Sequence, residues 1–164
     1  LEAAEALEGL PRIAEAAAAY FAIAHPVAEL PELPAHRCPT GWDPTAPVSA
    51  GPTPVITLNC WNTPEGLCLP GFPGDAGPGY YPVEAWTENT LWQALGFSKM
   101  EPHRFHYQFV GTNAAEGYGA CRFTALAFGN LDDDYPLLST YRVTGTLDET
   151  TRTVSAVEWS YPCR

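Results

Sequence analysis

The chain has 164 residues, 46% of them hydrophobic, which is enough for one domain with a real core and too few for two comfortable ones. Its 19 acidic and 8 basic side chains leave a net charge of −11. No basic stripe is available to neutralise phosphates, which argues against binding nucleic acid, and the same excess argues against docking on anionic lipid. The acidity reads as solubility outside the cell.

In chain order, residues 2 to about 24 form the first expected element, a helix. Leu7, Leu10, Ile13, Ala14, Ala17, Tyr20 and Phe21 recur at three- and four-residue steps and make one apolar stripe. Pro11 removes a donor and crowds the preceding turn, so a kink is expected near residues 7 to 11. His25-Pro26 closes the helix, because the residue before proline avoids helical geometry. Residues 26–86 hold most of the 17 prolines and half of the 14 glycines and are expected to be turns, with one strand at Val55–Trp61. A second, short helix is expected over Thr87–Leu95, with Thr87 as N-cap, Leu91, Trp92 and Leu95 inward, and Gly96 as its end. Four strands follow, at residues 104–110, 119–128, 138–146 and 152–160. In the first of them Phe105, Tyr107 and Phe109 alternate with polar neighbours. Gly111-Thr112-Asn113, residues 129–134 and residues 147–150 are the expected turns between them.

The expected fold class is therefore α+β: one long helix, then an antiparallel meander of about four strands, in a single domain spanning 1–164. Its parts are the helix (1–25), a loop-rich region (26–86), and a short helix with the sheet (87–164). The opening residues read as the middle of a helix, as in a chain trimmed at its N-terminus.

Five cysteines at Cys38, Cys60, Cys68, Cys121 and Cys163 show no zinc spacing, and Cys60 and Cys68 lie eight apart without a histidine close in sequence. Disulfides in an oxidising compartment are the simpler account. Cys60 with Cys68 is the first pairing, closing a short loop; Cys163 would keep the C-terminus from fraying by bonding Cys121 or Cys38, and one cysteine is left over. Asn130, Asp132 and Asp134 alternate like the start of a calcium loop, but Tyr135-Pro136 stands where the sharp glycine turn belongs and no bidentate glutamate follows. A solvated turn is the favoured reading, and no other cofactor is expected. His103 and His106, three apart on a strand, face opposite sides and so cannot share one ion. No nucleophile elbow or phosphate loop is present, and the carboxylate pairs sit in solvated turns, so an enzyme is not expected. The ring side chains of the loop region, among them Trp42, Trp61, Phe72, Tyr80, Tyr81 and Trp86, are expected to roof the core.

Three segments together resemble one family. Glu5-Ala6, Leu10, Ile13, Ala16 and Ala19-Tyr20-Phe21 resemble EA…L..I..A..AYF in the long helix of type IV pilins. Trp92-Gln93-Ala94-Leu95-Gly96-Phe97-Ser98 followed by residues 102–109 is similar to WQAL.FS…PH.Y.Y.F of pilin-like proteins, especially the myxobacterial type. Phe123-Thr124-Ala125, residues 129–134 and Ser139-Thr140-Tyr141 resemble FTA…GDLDGDG..STF of the same group. The matches keep their order along nearly the whole chain.

The resemblance implies a type IV pilin fold with a disulfide-stapled loop. It also implies an apolar N-terminal helix half that anchors the subunit in the inner membrane and later packs in a filament core. The implied function is that of a structural subunit of a type IV pilus, serving adhesion, motility or DNA uptake. Its implied partners are copies of itself, related pilins and the ATP-driven assembly machinery. Assembly would run through the helix that carries Leu7, Leu10, Ile13, Ala17, Tyr20 and Phe21. The alternatives are a minor pilin or pseudopilin of a type II secretion system, or a free secreted module binding glycans or calcium.

Overall fold

A computed structural model describes residues 3–27, 30–63, 65–130 and 138–160. The apolar stripe near the N-terminus makes helix α1, Ala4–Ala22, which runs through Pro11 as one element. Pro11 lies on the exposed side, where water can serve the Leu7 carbonyl that loses its intrahelical donor. Ala6, Leu10, Ile13, Ala14, Ala17, Ala18 and Phe21 make up the buried face. Ile23 turns extended and ends the helix, its N–H reaching back to the Tyr20 carbonyl.

Among the described residues ten strands follow: β1 His25–Val27, β2 Leu30–Ala35, β3 Val48–Thr53, β4 Leu69–Gly71, β5 Tyr80–Pro82, β6 His106–Asn113, β7 Ala120–Gly129, β8 Ser139–Asp148, β9 Arg152–Val154 and β10 Glu158–Ser160. The main sheet has six strands in the order β10-β8-β7-β6-β3, with β9 also on the β8 edge, and every pairing in it is antiparallel. Two separate pairs stand apart: β1 with β2 antiparallel, and β4 with β5 parallel. Two short helices, α2 Glu84–Thr87 and α3 Thr90–Leu95, precede β6.

This corrects the expected fold class. The chain is mostly β, with a six-stranded sheet in place of about four strands, and α1 is the one long helix among the described residues. One extra strand, β3, comes from the region read as turns. Gly51, Pro52 and Pro54 interrupt its pattern there, and the register shifts between Ala50 and Thr53. The other arises because residues 152–160 split into β9 and β10, both paired to β8. Val55–Trp61 is not a strand. It forms two 3₁₀ turns, Ile56–Leu58 and Cys60–Asn62, joined by Asn59 in the left-handed region at φ 52°. Asn89, not Thr87, caps α3: its Oδ1 accepts from the N–H groups of Leu91 and Trp92, each at 3.0 Å. Gly111, Thr112 and Asn113 belong to β6, so the turn falls after them.

The core lies where α1 meets β7 and β8, and it continues under α2 and α3. Phe105, Tyr107, Phe109, Ala125 and Ala127 are fully buried. The alanines of α1 and of β7 let the two backbones approach. Gly9 sits so near Tyr107 that an added Cβ would lie 3.2 Å from its ring. Gly145 makes room in the same way for Phe123, its cross-strand partner, whose ring stacks on Phe109 at 5.4 Å.

Candidate functional site

Helix α1 presents two different faces. Of the residues expected to drive assembly, Leu10, Ile13, Ala17 and Phe21 are buried in the chain's own core. Tyr20 is half-buried and stacks on the His25 ring at 3.7 Å. Only Leu7, 51% exposed, looks outward. The outward strip carries Leu7, Glu8, Pro11, Arg12, Glu15 and Ala19, with Glu8 and Arg12 3.9 Å apart one turn removed. Glu5 anchors the helix from its flank. Its Oε1 accepts from the Arg104 N–H at 2.7 Å, and its Oε2 accepts from the Phe105 N–H at 3.2 Å and from the Tyr107 hydroxyl at 2.7 Å. Burial, and then the Glu5 carboxylate, push the Tyr107 phenol up, so it stays a donor. Nothing in the helical periodicity pointed to this residue, because its partners lie 99 to 102 positions away.

Under the loop region lies a dense cluster of rings and histidines. Trp86 donates its Nε1–H to the Tyr81 hydroxyl at 2.7 Å, and Tyr81 donates to His103 Nε2 at 2.7 Å. His103 in turn donates Nδ1–H to the Phe105 carbonyl at 2.8 Å. This directional chain satisfies four buried groups and requires a neutral imidazole. Burial lowers the His103 pKa to about 3, opposed by the Phe105 carbonyl. Trp92 donates to the Thr53 hydroxyl at 3.0 Å, which ties α3 to β3. Trp86 and Tyr81 roof the core, whereas Phe72 and Tyr80 are exposed beside Asp75 and Glu84 around a cavity of about 390 Å³.

His106 occupies a different environment from His103. Its Nδ1 lies 2.6 Å from the Pro54 carbonyl and its Nε2 3.9 Å from Cys68 Sγ, with the Trp61 ring edge-on at 5.2 Å. Burial lowers its pKa, opposed by the Pro54 carbonyl. Cys60, Cys68 and His106 bring their ligand atoms within 4.8 Å of one another. The histidine missing near the two cysteines in sequence is thus supplied from 38 positions beyond Cys68.

Among the described residues two disulfides are formed, Cys60–Cys68 and Cys38–Cys121, with Cα separations of 4.7 and 5.1 Å. Cys121 therefore bonds Cys38, so neither of the two partners considered for Cys163 pairs with it. The reason is local: the Cys38 N–H donates to Asn113 Oδ1 at 2.7 Å, and Asn113 is the cross-strand neighbour of Cys121. Cys163 lies outside the described residues, as do Asp132 and Asp134 of the calcium reading; Asn130, just after β7, is half-buried. Asp148 closes its turn by accepting from the N–H groups of Thr150 and Thr151, and these bonds hold its carboxyl below the usual range. No helix among the described residues is long and apolar enough to cross a membrane. No family model matches the chain, and neither a curated protein nor a solved structure matches it.

Proposed function

We propose that the chain is a non-catalytic structural subunit of an extracellular filament, a pilin of a type IV pilus or a related assembly. It polymerises with copies of itself or with related pilins through the pilus machinery. The observation that supports this reading best is the division of α1. Its inner stripe is satisfied by the chain's own sheet, while Leu7, Pro11 and Ala19 stand exposed among Glu8, Arg12 and Glu15 on an outward strip of mixed character that a neighbour can contact. Two disulfides suit an oxidising exterior. On this reading the subunit is held in the inner membrane before assembly, through an apolar helix half upstream of the present residues. The test is electron microscopy of surface filaments sheared from cells making the full-length protein, labelled with an antibody to this domain. Label along the filaments is expected; label confined to free protein in the medium would contradict the proposal.

A second reading, a secreted glycan-binding module, is favoured by one feature. The exposed rings of Phe72 and Tyr80 flank the cavity beside Asp75 and Glu84, a pairing of flat apolar faces with hydroxyl acceptors. Retention on immobilised glycans that vanishes in a Tyr80→Ala variant would support it.

A further inference from the structure

We propose that, while its cysteines are thiols, the chain holds a zinc-type cation on Cys60 Sγ, Cys68 Sγ and His106 Nε2, a site that the Cys60–Cys68 disulfide later closes. All three residues are fully buried, and their donor atoms lie within 4.8 Å of one another, the one such cluster of histidine, cysteine and carboxylate donors among the described residues. Three separate pieces of backbone deliver them. Cys60 opens a 3₁₀ turn, Cys68 is pinned by paired backbone hydrogen bonds to His103, and His106 is the first residue of β6.

The tautomer of His106 is the second observation. A carbonyl only accepts, so Nδ1 must carry the proton it gives to Pro54, and Nε2 then presents a lone pair. That lone pair faces Cys68 Sγ at 3.9 Å. In the disulfide this sulfur has no hydrogen to give, so a fully buried acceptor faces a group that cannot donate to it. A metal ion held by both thiolates would use the lone pair. The Nδ1–H bond to a carbonyl is also the outer contact that orients metal-binding imidazoles. Two thiolates and one imidazole select thiophilic cations, and three protein donors leave one position of a tetrahedron open.

The electron and proton balance separates the two states. Metal binding by the dithiol releases two protons and moves no electrons. Formation of the disulfide by exchange with an incoming disulfide passes two electrons and two protons from the same sulfurs to that disulfide, which leaves as two thiols, and abolishes the site. The inference does not depend on filament assembly.

The test uses the whole chain, reduced without air by a water-soluble phosphine, which becomes its oxide with oxygen from water while the cysteines take up two electrons and two protons. Cobalt(II) is then titrated in, followed by zinc(II), with near-ultraviolet circular dichroism reporting the fold. Expected are a thiolate-to-cobalt charge-transfer band saturating at a single equivalent and its displacement by zinc. The band should persist in a Cys38→Ser/Cys121→Ser variant and be lost in His106→Gln. No cobalt uptake by the reduced chain overturns the proposal, and so does equal uptake by His106→Gln or a band that depends on Cys38 and Cys121. Should the reduced chain lose its ordered spectrum, metal must restore it; failure to do so counts against the site equally.

Discussion

The strands β6, β7 and β8 and the segment from Cys38 to Arg104 reach order by different routes. In the sheet, residues 106–113, 120–129 and 139–148 pair without a register shift, and alternate side chains fall inward, so a local rule suffices. In the loop segment few backbone ladders form. Order there comes from two disulfides, from left-handed turns, and from side chains that reach across the molecule, such as Trp92 to Thr53 and His103 to Tyr81. The sheet is held by many equivalent contacts, the loop segment by a few specific ones, and single changes should therefore act unequally on the two.

The staples offer the largest effect. Cys38–Cys121 spans 83 positions and Cys60–Cys68 spans 8. Constraint of the unfolded chain then predicts losses of about 4.5 kcal/mol on replacing the first pair by serine and about 2.5 kcal/mol on replacing the second. Urea denaturation of the two double variants measures the difference, and equal losses would show that strain or packing, not loop length, sets their worth. Next, Glu5→Ala strands two N–H groups and a buried phenol at the junction of α1 and β6. It should cost roughly 3 kcal/mol in the same assay, which would show that the sheet also depends on one specific contact.

Acid provides a finer comparison. His103 and His106 have folded pKa values below the ordinary 6.5, so between those values the unfolded chain binds more protons. Their contribution is whole above about pH 6.5 and is lost as pH falls, for His103 down to about 3. Each histidine adds a slope of up to about 1.4 kcal/mol per pH unit. Chemical denaturation between pH 7 and pH 5 should show stability falling with pH, and His103→Gln should flatten the curve.

Most of the sheet was legible in the sequence because alternation such as Phe105, Tyr107 and Phe109 is a short-range signal. The inward side of α1 was legible for the same reason, as was a disulfide between cysteines eight residues apart. What escaped depends on distance along the chain. The β3 strand is disguised by Gly51, Pro52 and Pro54, and is a strand only because β6 pairs with it. Cys38 meets Cys121, and His106 meets Cys68, only once the loop segment has folded over the sheet end. Glu5 reads as one more polar helix position until Arg104, Phe105 and Tyr107 arrive beside it.

The smallest expected change in stability carries the most direct test of function. Leu7 is half exposed on the outward strip, so Leu7→Arg should alter the unfolding free energy by no more than about 0.5 kcal/mol. In cells making full-length protein, the same variant should be folded and present yet missing from sheared surface filaments. Filaments that incorporate Leu7→Arg at the level of the unaltered chain would contradict assembly through the outward face of α1.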